Sequence, residues 1–182
     1  MPEAEVTLRL AIALITGNHV VGDVSAAIDG AQVKTKTMVH FPLIEFMSSL
    51  GWYATDETNR WQGTYRHIDF SSAIVIHSSP GEGDLVANLI SGHKLRVESK
   101  KGPLVKSKSS QEYPLIREAI GQLLTIEHAD PKDLLAVAVP HSEKFNALAQ
   151  SWRNRPLMKC SGIHIITIDR NNLLTGLENV GI

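Results

Sequence analysis

The chain is predicted to be an α/β protein, with a mixed β-sheet flanked by helices on both faces. Three observations predict it. Trp61 to Lys100 reads as a run of short strands divided by turn clusters, as an antiparallel meander does. From about Glu112 the pattern alternates helix, strand, helix, strand as far as Ile168. Of the 182 residues 43% are apolar, enough to build one sizeable core.

Charge and cysteine content narrow the function classes. With 18 Lys+Arg against 19 Asp+Glu the net charge is -1, which excludes a polybasic nucleic-acid coat and an acidic tail, so any nucleic-acid site must be a local basic patch. Cys160 is the single cysteine, so neither an internal disulfide nor a multi-cysteine zinc site can form. A buried, inert thiol in a reducing, cytoplasmic setting is the expectation. Leu8 to Thr16 is apolar but interrupted by Arg9 and preceded by Glu3 and Glu5, which suits neither a signal peptide nor a spanning helix, and no membrane partner is expected.

The elements follow in order. Glu3 to Thr16 is predicted to be a well-buried helix, too densely apolar for a single stripe and stopped by Gly17-Asn18. Val20, Val21 and Val24 lead to Asp29-Gly30, a good hairpin turn, and Ala31 to Thr37 alternates as a half-exposed strand. Lys34 and Lys36 share one face of that strand; they suit a solvated edge or a phosphate backbone. Residues 1–37 are thus expected to form an N-terminal helix and hairpin appendage, and residues 38–182 the core. Pro42 opens a helix through Leu50 with Glu45 inside it, closed by Gly51. Strands are predicted at Trp61 to His67, Ala73 to His77, Asp84 to Ile90 and Leu95 to Lys100, then a helix from Glu112 to Ile126. A buried strand at Leu134 to Val139, a helix at His141 to Trp152, a strand at Ile163 to Ile168 and a helical turn at Leu173 to Glu178 complete the pattern.

The hairpin that begins at Asp84 and ends at Glu98-Ser99-Lys100 carries the chemistry. Alternation places Glu98 and Lys100 on one strand face. With a three-residue turn such as Gly92 to Lys94, Asp84 shares that face; with a two-residue turn it lies opposite. Two neighbouring carboxylates repel unless a cation sits between them. Magnesium keeps several waters and usually takes one or two protein carboxylates, so Asp84, Glu98 and the Ser99 carbonyl suit an open magnesium site. Lys100 could then orient a water and offset charge on a phosphoryl group. The bland alternative is a surface hairpin whose exposed ion pair is worth about 0 to 1 kcal/mol.

Asp84 with Glu98-Ser99-Lys100 resembles the PD-(D/E)XK nuclease superfamily, whose restriction-endonuclease-like fold is a mixed sheet core flanked by helices on both faces. The resemblance spans about residues 38 to 170. It takes in the helix Tyr113 to Leu124, similar to the helix after the Glu-x-Lys strand, and the runs Leu135 to Pro140 and Gly162 to Asp169, similar to the later core strands. Asp84 follows Gly83 rather than proline, which departs from the first motif. The resemblance implies a magnesium-dependent nuclease, with Mn2+ able to substitute, in which Asp84 and Glu98 bind metal and Lys100 positions the attacking water. It further implies supporting roles for Gln122 and for Glu45, with Glu5 competing for the part of Glu45, and products bearing a 5′-phosphate and a 3′-hydroxyl.

Around the hairpin lies the densest basic cluster, with Lys94, Arg96, Lys101, Lys106 and Lys108 as candidate DNA contacts. Arg153 and Arg155 form a second small patch, and Trp52, Trp61 and Tyr65 suit either base stacking or the core. Pro80-Gly81-Glu82-Gly83 lacks the Lys-Ser/Thr of a P-loop, and the eight histidines show no His-Glu-x-x-His spacing. The expected activity is endonucleolytic hydrolysis of DNA, double-stranded in the first instance. One active site per chain makes a homodimer the expected route to double-strand cleavage. A nuclease acting on RNA, and a non-catalytic DNA- or protein-binding module on the same fold, stay open as alternatives.

Overall fold

A computed structural model describes residues 1–55, 60–79, 81–102, 111–178 and 182. It is a mixed α/β fold. The first helix, α1 (Glu3–Thr16), carries Glu3 and Glu5 in its first turn, where acids suit the positive end of the helix dipole, and Ala4 through Ile15 are all buried. A helix apolar all round must be covered all round. Its two inward charges satisfy each other: Arg9 Nε donates to Glu5 Oε1 at 2.8 Å, and Arg9 Nη1 donates to the Arg170 carbonyl at 2.6 Å.

Next come β1 (Val24–Ala27), a short α2 (Gly30–Val33), the hairpin β2 (Lys34–Thr35) and β3 (Met38–Val39), and α3 (Leu43–Ser49). Strands β4 (Tyr53–Ala54), β5 (Gly63–Arg66), β6 (Ile74–His77), β7 (Leu85–Asn88) and β8 (Lys94–Ser99) precede α4 (Glu112–Leu123). The chain continues through β9 (Asp133–Pro140), α5 (Glu143–Arg153), α6 (Pro156–Ser161), β10 (His164–Ile168) and β11 (Leu174–Thr175). The main sheet has nine strands in the order β11-β10-β9-β8-β7-β1-β6-β5-β4. Strands β8, β9 and β10 run parallel, as their helical crossovers require.

Residues 1–37 are not an appendage. Strand β1 sits in the middle of the sheet, parallel to β6 and antiparallel to β7, and α1 lies against β1, β8, β9 and β10. The expected meander is therefore split, with β1 standing between β6 and β7. Two cores flank the sheet. Ala136 and Ala138 of β9 face the α1 side with Leu85, Leu95 and Val97, whereas Val137 and Val139 face Ile116, Ala119, Phe145 and Trp152 of α4 and α5. A strand buried on both faces reads as the continuous apolar run seen there.

Three local expectations are corrected. Asp29-Gly30 does not turn a hairpin; Asp29 accepts a hydrogen bond from Ala31 N–H at 2.9 Å and caps α2. Leu174–Thr175 is an edge strand rather than a helical turn, because the open side of β10 offers it a pairing partner. Cys160 is exposed, since α6 buries none of its residues. Among the described residues, no helix is long and apolar enough to cross a membrane.

Candidate active site

The β7–β8 hairpin places the key carboxylates. Leu85 pairs with Val97 and Asn88 with Lys94, and Leu89 N–H donates to the His93 carbonyl at 2.8 Å. The loop is thus Ile90-Ser91-Gly92, two residues earlier than the expected Gly92 to Lys94 but of the same odd length, with Gly92 at φ 83°. That parity brings Asp84 to the side of Glu98. Asp84 N–H donates to the Val97 carbonyl at 2.8 Å, and Ser99 N–H donates to Asp84 Oδ2 at 2.7 Å, fixing the carboxylate at the end of β8.

Both carboxylates are held away from their ordinary range. Burial pushes Asp84 up to about 6 against the pull of the Ser99 N–H, with the charge of Glu3 raising it further and that of Lys100 opposing. Burial, then the charge of Asp84, pushes Glu98 up to about 7, again opposed by Lys100. Lys100 is only 5% exposed, and its Nζ lies 3.1 Å from Glu118 Oε1 on α4. Glu118 and Gln122 are four residues apart and so share one helix face. Gln122 lines a cleft of about 440 Å³ together with Gly83, Arg96, Glu98 and Thr125. Asp84, Glu98, Lys100 and Gln122 therefore meet in one region, built from the end of β8, the start of β7 and one face of α4.

Glu45 is not brought there. It is exposed on α3, lines a separate groove with Lys34, Lys36 and Trp61, and acts electrostatically on Tyr65. Glu5 is taken by Arg9 and Arg170, at 2.8 and 3.4 Å. The helical acid at the site is Glu3, whose Oε1 accepts a hydrogen bond from Gln32 Nε2 at 2.9 Å. Its one signal in the sequence is an acid in the first turn of a densely apolar helix, a signal it shares with Glu5.

The basic cluster is reassigned in part. Arg96 is buried, with Nη2 2.9 Å from Asp133 Oδ2 and Nη1 donating to the His128 carbonyl at 3.1 Å, so it braces β8 to β9 rather than facing a phosphate. Lys94 Nζ is paired with Glu82 at 2.6 Å. Lys101 is exposed; Lys106 and Lys108 lie outside the described residues. Arg153 donates to the Ile165 carbonyl at 2.6 Å, and Trp52 and Tyr65 are core residues, each 1% exposed.

No protein-family model, no curated protein and no solved structure matches the chain. What the site can do follows from its own chemistry. Among the described residues no three His, Cys, Asp or Glu side chains are gathered to hold a metal ion, so the carboxylates on offer are the pair Asp84 and Glu98. Two crowded carboxylates suit a hard divalent cation that keeps most of its water, as magnesium does. The contact made by Ser99 is through its N–H, while its hydroxyl is buried with no hydrogen-bond partner among the described residues.

Proposed function

We propose that the chain is a magnesium-dependent endonuclease acting on DNA, built on a restriction-endonuclease-like core. The observation that carries the reading is the convergence of Asp84 and Glu98, both pushed toward neutrality by burial, with the buried ammonium of Lys100. Anions so disfavoured in the free protein gain most from a bound cation. A bound Mg2+, or Mn2+ in its place, would supply Lewis-acid stabilisation of the phosphoryl oxygens.

The chain's own residues would divide the remaining work. Asp84 and Glu98, with the Ser99 carbonyl, would hold the cation. Lys100 would orient the attacking water and stabilise it as its proton passes to solvent; as the water oxygen bonds to phosphorus, the bond from phosphorus to the 3′-oxygen breaks and the 3′-alkoxide takes a proton from solvent to give the 3′-hydroxyl. Gln122, which lines the cleft with Glu98, would position that water or a phosphate oxygen.

The test is cleavage of supercoiled and linear DNA in magnesium, manganese or EDTA by the wild type, Asp84→Ala and Lys100→Ala. Metal-dependent cutting that both substitutions abolish is the expected result. Cutting that persists in EDTA or in Asp84→Ala overturns the assignment, and cutting confined to RNA replaces the substrate.

A further inference from the structure

The hairpin β2–β3 pairs only with itself and joins no strand of the main sheet. Residues 34 to 40, Lys-Thr-Lys-Thr-Met-Val-His, are all exposed, whereas Val33 and Phe41 at its base are buried. The base is closed by His40 N–H and Phe41 N–H, both donating to the Val33 carbonyl, at 2.9 and 3.2 Å. His40 Nε2 and Thr35 Oγ1 lie 3.0 Å apart and brace the arm across its width. It is an anchored projection with a free tip.

Its chemistry is one-sided. The seven residues hold two lysines and no carboxylate, and among the described residues neither lysine takes part in an ion pair. Val39, 57% exposed, lines the groove at the root of the arm with Phe41 and Leu43, whereas Met38 on the opposite ribbon face is 64% exposed and outside that groove. Lys36 occupies a left-handed backbone conformation, φ 53°, where glycine or asparagine would be relaxed.

Its position connects it to the carboxylates. Gln32, which hydrogen-bonds Glu3 at 2.9 Å, stands two residues before Lys34, and two residues span at most about 7 Å. The arm therefore springs from the edge of the candidate active site.

We infer that the β2–β3 hairpin is a DNA-contacting arm, in which Lys34 and Lys36 neutralise backbone phosphates of duplex DNA while Met38, on the other face of the ribbon, enters the adjoining groove. This rests on the nuclease reading for its choice of polyanion. Paired lysines supply affinity without sequence information, and exposed apolar side chains on a ribbon are what contact or wedge base steps in a groove. A protein partner would meet the same apolar tip but would need acids to match the lysines.

The test separates binding from cutting. Duplex affinity is measured by fluorescence anisotropy in EDTA across a salt series for the wild type, Lys34→Ala/Lys36→Ala and Met38→Ala, with thermal unfolding confirming equal stability. The double substitution should lower affinity roughly tenfold or more and reduce the slope of log K against log salt by about 2. Met38→Ala should weaken binding with the slope unchanged. An unaltered slope in the double variant, or no duplex binding by the wild type, overturns the arm. Duplex binding with the expected slope change but no cleavage in magnesium upholds the arm and refutes the nuclease reading alone.

Discussion

The Nζ of Lys100 lies 3.1 Å from Oε1 of Glu118, joining a side chain that is 6% exposed to one that is 60% exposed. The two ends are unequal. Glu118 loses little by standing alone in water, and such a pair contributes about 1 kcal/mol or less. Lys100 also offsets the repulsion between Asp84 and Glu98. Glu118→Gln is therefore expected to change thermal stability slightly and keep cleavage within about tenfold of the wild type, while Lys100→Ala folds but loses roughly a hundredfold or more. Single-turnover cleavage and thermal melts of both variants check this asymmetry.

Asp84 and Glu98 make the metal-free protein sensitive to pH in a stated direction. Their folded values, about 6 and about 7, lie above the ordinary carboxylate range, so between about pH 4 and pH 7 the unfolded chain has released protons that the folded chain still holds. Stability from these two groups is fully present below pH 4, falls as pH rises through 6 and 7, and is level above. The loss is on the order of 5 kcal/mol at pH 8, solvent screening reducing the share of the partly exposed Glu98. Asp84→Asn/Glu98→Gln should flatten the decline measured by denaturant unfolding in EDTA. Added magnesium should raise the melting temperature of the wild type at pH 8 and leave it unchanged at pH 5.

Legibility in the sequence depended on how local each cause was. The alternation through Lys94–Ser99 is a short-range signal and puts Glu98 and Lys100 on one face, whereas the side of Asp84 depends on a turn length that the sequence left open and the three-residue loop decides. The helix carrying Gln122 declared itself by the apolar spacing of Ile116, Ile120, Leu123 and Leu124, of which the structure buries Ile116 and Leu123, half-buries Ile120, exposes Leu124 and adds Ala119 to the inner face. Glu3 was hidden because its neighbours come from Gln32, Asp84 and Glu98, and such distant contacts leave no periodic trace. The apolar density of α1 announced burial without saying against what; only the insertion of β1 between β7 and β6 makes it a core helix. Arg96 misled for a related reason. On an isolated strand it reads as exposed, but parallel pairing with β9 buries that strand on both faces.

Gly83, standing where the nuclease resemblance leads one to expect proline, has a structural reason to be glycine. Its φ is 121°, and a Cβ there would lie 2.8 Å from the Val97 carbonyl oxygen that receives the Asp84 N–H. An added methyl group must displace the start of β7 together with the Asp84 carboxylate. Gly83→Ala is expected to cost about 1 to 3 kcal/mol. It should also lower the magnesium-induced rise in melting temperature, because Asp84 would lose its hydrogen bond from Ser99 N–H.

Arg96 gives the complementary case, a basic residue beside the site whose removal should harm the fold and not the affinity for DNA. Its partner Asp133 has a side chain only 3% exposed, 2.9 Å from Arg96 Nη2, and otherwise accepts from Asp130 N–H at 2.9 Å. Removing the guanidinium leaves a buried carboxylate with a single backbone donor, a loss of about 3 to 5 kcal/mol. Arg96→Met is expected to show that loss in denaturant unfolding. Arg96→Met/Asp133→Leu should recover much of it, because the stranded charge goes with its partner. If Arg96 instead contacted phosphates, the single substitution would reduce the salt slope of duplex binding by about 1. A salt slope equal to that of the wild type, with stability lost in the single variant and restored in the double, identifies Arg96 as the strut between β8 and β9.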